Sequence, residues 1–209
     1  MNFYADAGQD QFVGNLLKFK KDGYCVDIGS CHSAICNNTF VFQALGWTSV
    51  SVELDDKWND SYSNRSQGTH YNEDALTIDY EKAFEENEFP TTIDYLSLDV
   101  DEISLDVLKI LPLDKYRFKV ITIEHDAYLF GDTYRAAQRE VLEEKGYRLV
   151  CANVLVPQPN HEGYDGKSPC PFEDWWVHPD EFDAELLDTI QSDGAHPGNI
   201  ILQLRDINS

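Results

Sequence analysis

The chain has 209 residues, which is long enough for one domain with its own hydrophobic core. Its 38 aspartates and glutamates outnumber its 16 lysines and arginines, so the formal net charge is -22 at pH 7. This charge argues against nucleic-acid and membrane partners, since phosphate backbones require a basic surface and anionic lipids repel an acidic one. The hydrophobic fraction of 42% excludes a disordered acidic chain.

Cysteine usage indicates the compartment. Five cysteines form an odd set in a chain too large to depend on disulfides, which fits a reducing environment. The first ten residues contain no basic residue and no long apolar run, and no later stretch approaches the ~20 apolar residues of a membrane span. We therefore expect a cytoplasmic protein with no signal peptide and no transmembrane helix.

Short apolar runs alternate with longer amphipathic stretches up to residue 156, which is typical of βαβ units and a largely parallel sheet. The predicted strands are 24–28, 48–53, 69–72, 93–98, 118–124 and 147–156, with short ones at 175–177 and 199–204. The predicted helices are 10–20, 38–45, 55–67, 80–87, 103–111, 133–145 and 179–191. We expect a single domain over 1–209, with an N-terminal helix within 1–20 and a site-forming loop or lid at 157–178.

The first predicted strand ends with an acid and a glycine turn. Asp27 lies inside the strand end, and Gly29 and Ser30 form the turn that follows. In open α/β sheets, ligands bind at the carboxyl ends of the strands beside such a turn. A dinucleotide site would carry further glycines here for a pyrophosphate, whereas an acid suits an ammonium and a sulfonium. The turn therefore favours S-adenosylmethionine over a nicotinamide cofactor.

Three further acids follow predicted strands. Glu53 closes the second strand, where a carboxylate can accept both ribose hydroxyls, and Asp74 could accept from an adenine amino group. Asp99 ends the fourth strand, at the rim where methyl group and acceptor would meet. We expect these three acids and Asp27 to converge on one cleft. The predicted cofactor-binding residues are Asp27, Gly29, Ser30, Glu53, Asp74, Ala75 and Asp99.

The predicted catalytic residues follow the fourth and fifth strands. His125 is the candidate general base, because a histidine can deprotonate an acceptor hydroxyl near neutral pH. Asp99 would position the acceptor or the cofactor's amine, and Glu124 would orient neighbouring loops. The structural alternative is that His125 only caps its strand.

Other interpretations remain open. Asp99 and Asp126 could hold Mg²⁺, which prefers carboxylate oxygens, but we predict a metal-free site. The trio Cys31, His32 and Cys36 is a poor zinc pattern, since no second ligand pair accompanies it. The pair at 175–176, two tryptophans, could stack on a sugar or an aromatic acceptor, or cover the sheet edge.

Several segments together resemble the FkbM-type methyltransferases. They are AGQDQF at 7–12, GYCVDIG at 23–29, LGW at 45–47, IDYLSLDV at 93–100, EHDAY at 124–128 and EDWWVHP at 173–179. The resemblance implies the Rossmann-like class I methyltransferase fold, a central, mostly parallel α/β sheet of about seven strands with helices on both faces. It also implies S-adenosylmethionine as cofactor. The chain departs from the family pattern at Ser33, where the family has glycine, and at Asp101 to Ser104, where a glycine and a carboxylate are replaced.

The expected function is S-adenosylmethionine-dependent methylation, directed at a hydroxyl oxygen of a sugar or another small molecule. The alternatives are a catalytically silent cofactor-binding or scaffold protein of the same fold, and an NAD-dependent oxidoreductase. The expected partner is a small-molecule or glycan acceptor.

Overall fold

A computed structural model of the protein describes residues 1–63, 65, 67–155 and 170–207. The described strands are β1 (Tyr24–Ile28), β2 (Thr48–Val52), β3 (Gly68–Tyr71), β4 (Thr92–Leu98), β5 (Arg117–Glu124), β6 (Arg148–Leu155), β7 (Pro171–Val177) and β8 (Ser192–Asp193). The described α-helices are α1 (Gln9–Leu16), α2 (Phe40–Gln43), α3 (Asn59–Tyr62), α4 (Tyr80–Glu86), α5 (Ser104–Ile110), α6 (Ala127–Phe130), α7 (Asp132–Glu144), α8 (Ala184–Ile190) and α9 (Pro197–Ile207). Three 3₁₀ turns lie at Asp56–Trp58, Asp101–Ile103 and Pro179–Glu181.

The strands form one mostly parallel sheet in the order β3-β2-β1-β4-β5-β7-β6-β8. The five strands β1 to β5 pair in parallel, and β7 runs antiparallel between β5 and β6. After β1 the chain adds β2 and β3 on one side of it and then returns to add β4 and β5 on the other side. Ligands bind in such sheets at the carboxyl ends of the strands where this reversal occurs, which here is the end of β1. The predicted mostly parallel α/β sheet is confirmed; the two-residue β8 makes the described strands eight rather than seven.

Helices cover both faces of the sheet because alternate strand residues point to opposite sides. Val26 and Ile28 of β1 join one apolar cluster, which helices α4, α5 and α7 cover. Cys25 and Tyr95 join the other, which helices α1, α2, α8 and α9 cover. Within the described residues, no helix is both long and apolar enough to cross a membrane.

The strand predicted at 199–204 is wrong. This segment lies in helix α9, where Ile200, Ile201 and Leu204 are buried at helical spacing. The apolar run is short enough to be ambiguous between strand and helix, and its contact with helix α1 decides for the helix.

Several predicted helices are shorter in the structure, and for two of them the local cause is visible. Helix α1 ends at Leu16 rather than continuing to residue 20, because Lys18 and Phe19 take left-handed backbone angles and Phe19 folds back against Gly14. The helix predicted over 55–67 is divided into a 3₁₀ turn and the four residues of α3, with Asp55 accepting a hydrogen bond from the Lys57 amide.

Of the loop or lid predicted at 157–178, residues 157–169 lie outside the described residues. The end of the predicted loop belongs to strand β7, which starts at Pro171. Trp175 and Trp176 are fully buried on opposite faces of this interior strand. They therefore build the two cores, and neither stacks on a ligand or covers a sheet edge. The single domain over 1–209 stays a prediction.

Candidate active site

The turn after β1 brings two strand ends into contact. Gly29 has φ +81°, and a Cβ atom there would lie 1.6 Å from the carbonyl oxygen of Asp99. The Gly29 amide donates to the Val52 carbonyl over 3.0 Å, and the Asp99 amide donates to the Ile28 carbonyl over 2.9 Å. Only glycine satisfies both the backbone angle and this close approach, so the turn anchors the three strand ends that border the crevice.

A cleft of about 260 Å³ opens beside this turn. Five of the seven residues predicted to bind the cofactor line it, and Asp101 lies on the same wall. The residues of the predicted set in the cleft are Gly29, Glu53, Asp74, Ala75 and Asp99. Three of the four acids expected to converge therefore do so; Asp27 does not line the cleft.

Backbone amides hold the two carboxylates on the β2 and β3 side. Glu53 accepts from the amide of Cys31 through Oε2 and from the amide of Asp55 through Oε1, both over 2.8 Å. Asp74 Oδ1 accepts from the Leu76 amide over 2.9 Å. The two amide hydrogen bonds hold the Glu53 carboxylate in one orientation. Because a carboxylate oxygen can accept more than one hydrogen bond, Glu53 can still accept from the hydroxyls of a ligand.

Asp27 and Ser30 support the turn from below. Asp27 is 2% exposed, and its Oδ2 accepts from Asn37 over 3.1 Å and from the Thr39 hydroxyl over 2.8 Å. Burial raises the pKa of Asp27, against the opposing effect of the Arg65 charge. The buried Ser30 hydroxyl accepts from Tyr62 over 2.7 Å. The expectation that Asp27 faces the cofactor's ammonium stays a prediction; in the structure its carboxylate holds the loop after β1 through Asn37 and Thr39.

Two carboxyl groups share a hydrogen bond on the side of the crevice bordered by β5 and β7, here called the acceptor side. Asp99 follows β4 and Glu124 ends β5, which pairs with β4 in parallel. Burial, and then the negative charge of Asp99, raises the pKa of Glu124 well above its ordinary value. Burial also raises the pKa of Asp99, while the hydrogen bond from Glu124 lowers it. These effects favour a proton shared between the two groups and held on Glu124.

His125 lies next to this pair but faces away from the cleft. Its ring is fully buried; Nδ1 accepts from the Ala127 amide over 3.1 Å, and Nε2 faces Asp174 Oδ1 at 3.5 Å. Since Nδ1 is an acceptor, the ring proton of the neutral form is on Nε2. Neither nitrogen is available to an acceptor hydroxyl. His125 as general base stays a prediction, and its contacts favour the structural alternative.

Asp174 shows why His125 is held so firmly. Burial would raise the pKa of Asp174, but hydrogen bonds from His125 and Arg139 lower it to about 2. Arg139 binds both carboxylate oxygens, Oδ2 through Nε over 2.7 Å and Oδ1 through Nη2 over 2.9 Å. This buried group fixes the turn from β5 into α6, where Asp126 takes a left-handed backbone conformation.

Glu173 is a site neighbour that the sequence did not suggest. It pairs with Glu124 across β5 and β7, is buried, and accepts from Trp175 Nε1 over 2.7 Å. Burial raises its pKa to about 8, the Trp175 hydrogen bond opposes this, and the Asp99 charge adds to it. The only signal in the sequence was its place in the EDWWVHP segment, since nothing local indicates which strand lies beside β7.

In the part of the chain that the structure describes, one group of possible metal ligands comes together. Oxygen atoms of Asp101, Glu124 and Asp126 lie within 4.8 Å of one another. This group replaces the pair of Asp99 and Asp126 considered above. His32 Nδ1 accepts from the amides of Ala34 and Ile35, so the trio with Cys31 and Cys36 has another explanation in the shape of its loop. A metal-free site stays a prediction.

The sequence matches a family model, the methyltransferase FkbM domain, over residues 19–149. The chain belongs to the FkbM methyltransferase family. The predicted family is thus confirmed, and the NAD-dependent oxidoreductase is not supported. The cofactor of this FkbM protein is S-adenosylmethionine. The chain matches none of the curated proteins with which it was compared.

Solved structures show the same fold. A Clostridium thermocellum protein assigned as an rRNA methylase aligns with a TM-score of 0.52 at 12% identity, covering 85% of this chain and 97% of that one. A TehB-like SAM-dependent methyltransferase from Corynebacterium glutamicum aligns with a TM-score of 0.51 at 14% identity, covering 85% and 89%. M. jannaschii TYW2 in complex with AdoMet aligns with a TM-score of 0.50 at 6% identity, covering 85% and 78%. The predicted Rossmann-like methyltransferase fold is confirmed.

The cleft of this FkbM protein fits its cofactor. Because Gly29 has no Cβ atom, the ends of β1 and β4 pack closely together, and both Gly29 and Asp99 line the cleft. Glu53 presents an oriented carboxylate at the rim, and Asp74 and Ala75 line the wall beyond it.

Proposed function

We propose that this protein transfers the methyl group of S-adenosylmethionine to a hydroxyl oxygen of a sugar or another small molecule. The observation that carries the proposal is the hydrogen-bonded pair of Asp99 and Glu124 beside the cleft. An acidic pair of this kind can bind a hydroxyl and accept its proton, which is what oxygen-directed transfer requires.

The cleft residues hold the cofactor in this proposal. Glu53 accepts the ribose hydroxyls, Asp74 accepts from the adenine amino group, and Ala75 packs beside it. When bound, S-adenosylmethionine supplies a methyl group on a positively charged sulfur. The chain's main contribution is then to align the acceptor oxygen, because a sulfonium is already a good leaving group and proximity supplies the larger part of the acceleration.

The acceptor's proton goes to the carboxyl pair. Glu124 keeps its own proton and donates a hydrogen bond to one oxygen of Asp99, which leaves the other oxygen of Asp99 able to take the proton of the substrate hydroxyl. Burial makes Asp99 a stronger base than an exposed aspartate, since its pKa is raised. We therefore assign the general base to Asp99, with Glu124 as its hydrogen-bond donor. His125 holds the adjoining turn.

Charge supports a small-molecule acceptor over a nucleic acid. One structural relative is described as an rRNA methylase, but this chain has a net charge of -22 and three acids around Asp99, namely Asp101, Glu124 and Asp126. Phosphates would be repelled there, whereas uncharged hydroxyls would be bound. We also propose a reducing, cytoplasmic setting, because the five cysteines, which all lie within the described residues, form no disulfide.

The silent scaffold remains the second candidate, since Ser33 and Ser104 stand where the family pattern has a glycine and a carboxylate. The contacts of both residues argue for turnover. The side chain of Ser33 is buried against Ser61, and Ser33 does not line the cleft. Ser104 is buried and accepts from the Val100 amide over 3.2 Å, so an oxygen acceptor is retained at this turn.

The test is transfer of labelled methyl from S-adenosylmethionine to a panel of neutral methyl glycosides, with a ribosomal RNA fragment in parallel. We expect label in an ether on a glycoside, and none in the RNA. Label in the RNA alone would contradict the proposed acceptor class. Tight cofactor binding without transfer to any acceptor would favour the silent scaffold.

A further inference from the structure

We propose that Ser33, Ser61 and Arg65 form a lock that holds the segment 29–39, here called the cofactor loop, in the shape that binds S-adenosylmethionine. The proposal rests on the cofactor assignment above and concerns residues that do not line the cleft. They act through the loop, so they are positioning residues.

Ser33 is tied to the α3 region through every polar atom it has. Its amide donates to Ser61 Oγ over 3.1 Å, and its hydroxyl donates to the Ser61 carbonyl over 2.7 Å. Its carbonyl accepts from Arg65 Nη2 over 2.8 Å. Glycine, which the family pattern has here, would lose one of these bonds and allow more freedom to the backbone. Ser33 therefore makes the loop more rigid at the position where the chain departs from its family.

Arg65 joins this contact to the buried support of the turn. The same Nη2 atom donates to Asn37 Oδ1 over 2.7 Å, and Nη1 donates to Ser51 Oγ of β2 over 3.1 Å. The guanidinium lies 5.0 Å from the ring centre of Tyr62. Asn37 in turn donates to Asp27. The half-buried positive charge of Arg65 thus faces the buried acid of β1 through the side-chain amide of Asn37 in the loop.

The other end of the cofactor loop reaches the cleft. Gly29 and Cys31 line it, and the Cys31 amide donates to Glu53, the proposed ribose acceptor. Cys31 and Cys36 have φ of 46° and 55°. Left-handed angles are unfavourable at non-glycine residues, so other contacts must maintain them. If the lock opens, the loop can relax and the orienting bond to Glu53 is lost.

The lock predicts a loss of cofactor affinity from residues that never touch the cofactor, because preorganisation lowers the cost of binding. Ser61→Ala removes the oxygen that accepts from the Ser33 amide. We expect it to weaken S-adenosylmethionine binding about 3–10-fold, the usual effect of one hydrogen bond. Ser61→Thr keeps the hydroxyl and should restore affinity to within about 2-fold. Arg65→Lys, which removes the forked donor, should weaken binding at least as much as Ser61→Ala.

Matched controls are available at the C-terminal end of α3 and on β6. Ser63→Ala removes an exposed hydroxyl that donates to the Asp60 carbonyl and does not reach the loop. Arg148→Lys alters an arginine that pairs with Asp188 on the surface. Both controls should leave the dissociation constant unchanged.

The experiment is calorimetric titration of the full chain with S-adenosylmethionine, together with amide hydrogen exchange of the ligand-free protein. Supporting results are weaker binding by Ser61→Ala than by Ser63→Ala, faster exchange at the Cys31 and Ser33 amides, and rescue by Ser61→Thr. Equal affinity and equal exchange in the two alanine variants would overturn the lock while leaving the cofactor assignment intact. A wild-type chain that does not bind S-adenosylmethionine would overturn both.

Discussion

The two sides of the crevice use carboxyl groups in opposite ways. On the cofactor side, Glu53 and Asp74 are partly exposed and accept hydrogen bonds from backbone amides. On the acceptor side, Glu124 and Glu173 are buried, and burial raises the pKa of both. Asp99 lies where the two sides meet.

The difference follows from the neighbouring strands. The cofactor side is bordered by β3, β2 and β1, whose carboxyl ends lead into turns with backbone amides that donate to Glu53 and Asp74. The acceptor side is bordered by β5 and the antiparallel β7, which places Glu173 directly beside Glu124. The carboxylates of the cofactor side can therefore accept hydrogen bonds from a ligand, whereas burial on the acceptor side favours the protonated form of the acids. The comparison teaches that acids of one type can serve binding or proton transfer according to what surrounds them.

The strongest test of the shared boundary is Gly29→Ala. The added Cβ would meet the Asp99 carbonyl at 1.6 Å, so the ends of β1 and β4 must separate. We expect a loss of more than about 4 kcal/mol in the free energy of unfolding, measured by chemical denaturation. The control is Gly194→Ala, at φ +63° with no atom within 4 Å of the added carbon, which should cost only about 1–2 kcal/mol. Equal losses would show that the contact at Gly29 is unimportant.

The second largest effect is expected from substitution of Asp99, the proposed base on the acceptor side. Asp99→Asn removes the proposed base and should lower kcat about 10²–10⁴-fold, measured with the methyl glycoside that accepts label most readily. His125→Asn should lower thermal stability and leave kcat within about 10-fold of wild type. The reverse ranking would restore His125 as the base.

The same assay distinguishes the metal-assisted alternative. Activity should persist in EDTA, because the proposed mechanism uses the proton shared by Asp99 and Glu124. Loss of activity in EDTA and recovery with Mg²⁺ would instead assign Asp101, Glu124 and Asp126 to a cation.

The raised pKa of Glu173 also predicts how the free energy of unfolding varies with pH. The pKa of Glu173 is about 8 in the folded chain and about 4.3 in an unfolded one. Its contribution is therefore fully present below about pH 4 and is lost as pH rises to about 8. Between pH 5 and pH 8, the free energy of unfolding should fall by about 2–4 kcal/mol more in wild type than in Glu173→Gln, which keeps an acceptor for Trp175. Parallel curves for the two proteins would contradict a stored proton at Glu173.

Local sequence predicted the cofactor side better than the acceptor side. The ends of β1, β2 and β4 are marked by apolar runs that stop at an acid or a glycine, so Gly29, Glu53 and Asp99 could be placed at one edge. The sequence did not indicate that Asp27 would lie outside the lining of the cleft, because the position of a cleft relative to the two sheet faces is not a local property.

The acceptor side depends on features that no local pattern indicates. The orientation of His125 follows from a left-handed turn at Asp126 and from Asp174, a residue 49 positions later in the chain. Glu173 meets Glu124 only because β7 inserts antiparallel beside β5. Arg65 gave no signal either, since its partners come from the loop after β1 and from β2.

We infer that S-adenosylmethionine binds in the cleft with its ribose on Glu53. Calorimetric titration of wild type and Glu53→Ala with S-adenosylmethionine measures this directly. We expect wild type to bind one S-adenosylmethionine per chain and not to bind NAD. Glu53→Ala should lose about 1.5–3 kcal/mol of binding free energy, the usual contribution of hydrogen bonds to a charged group. Glu185→Ala, on the exposed surface of α8, should bind like wild type. An unchanged dissociation constant in Glu53→Ala would contradict the account, since the ribose would then lie elsewhere.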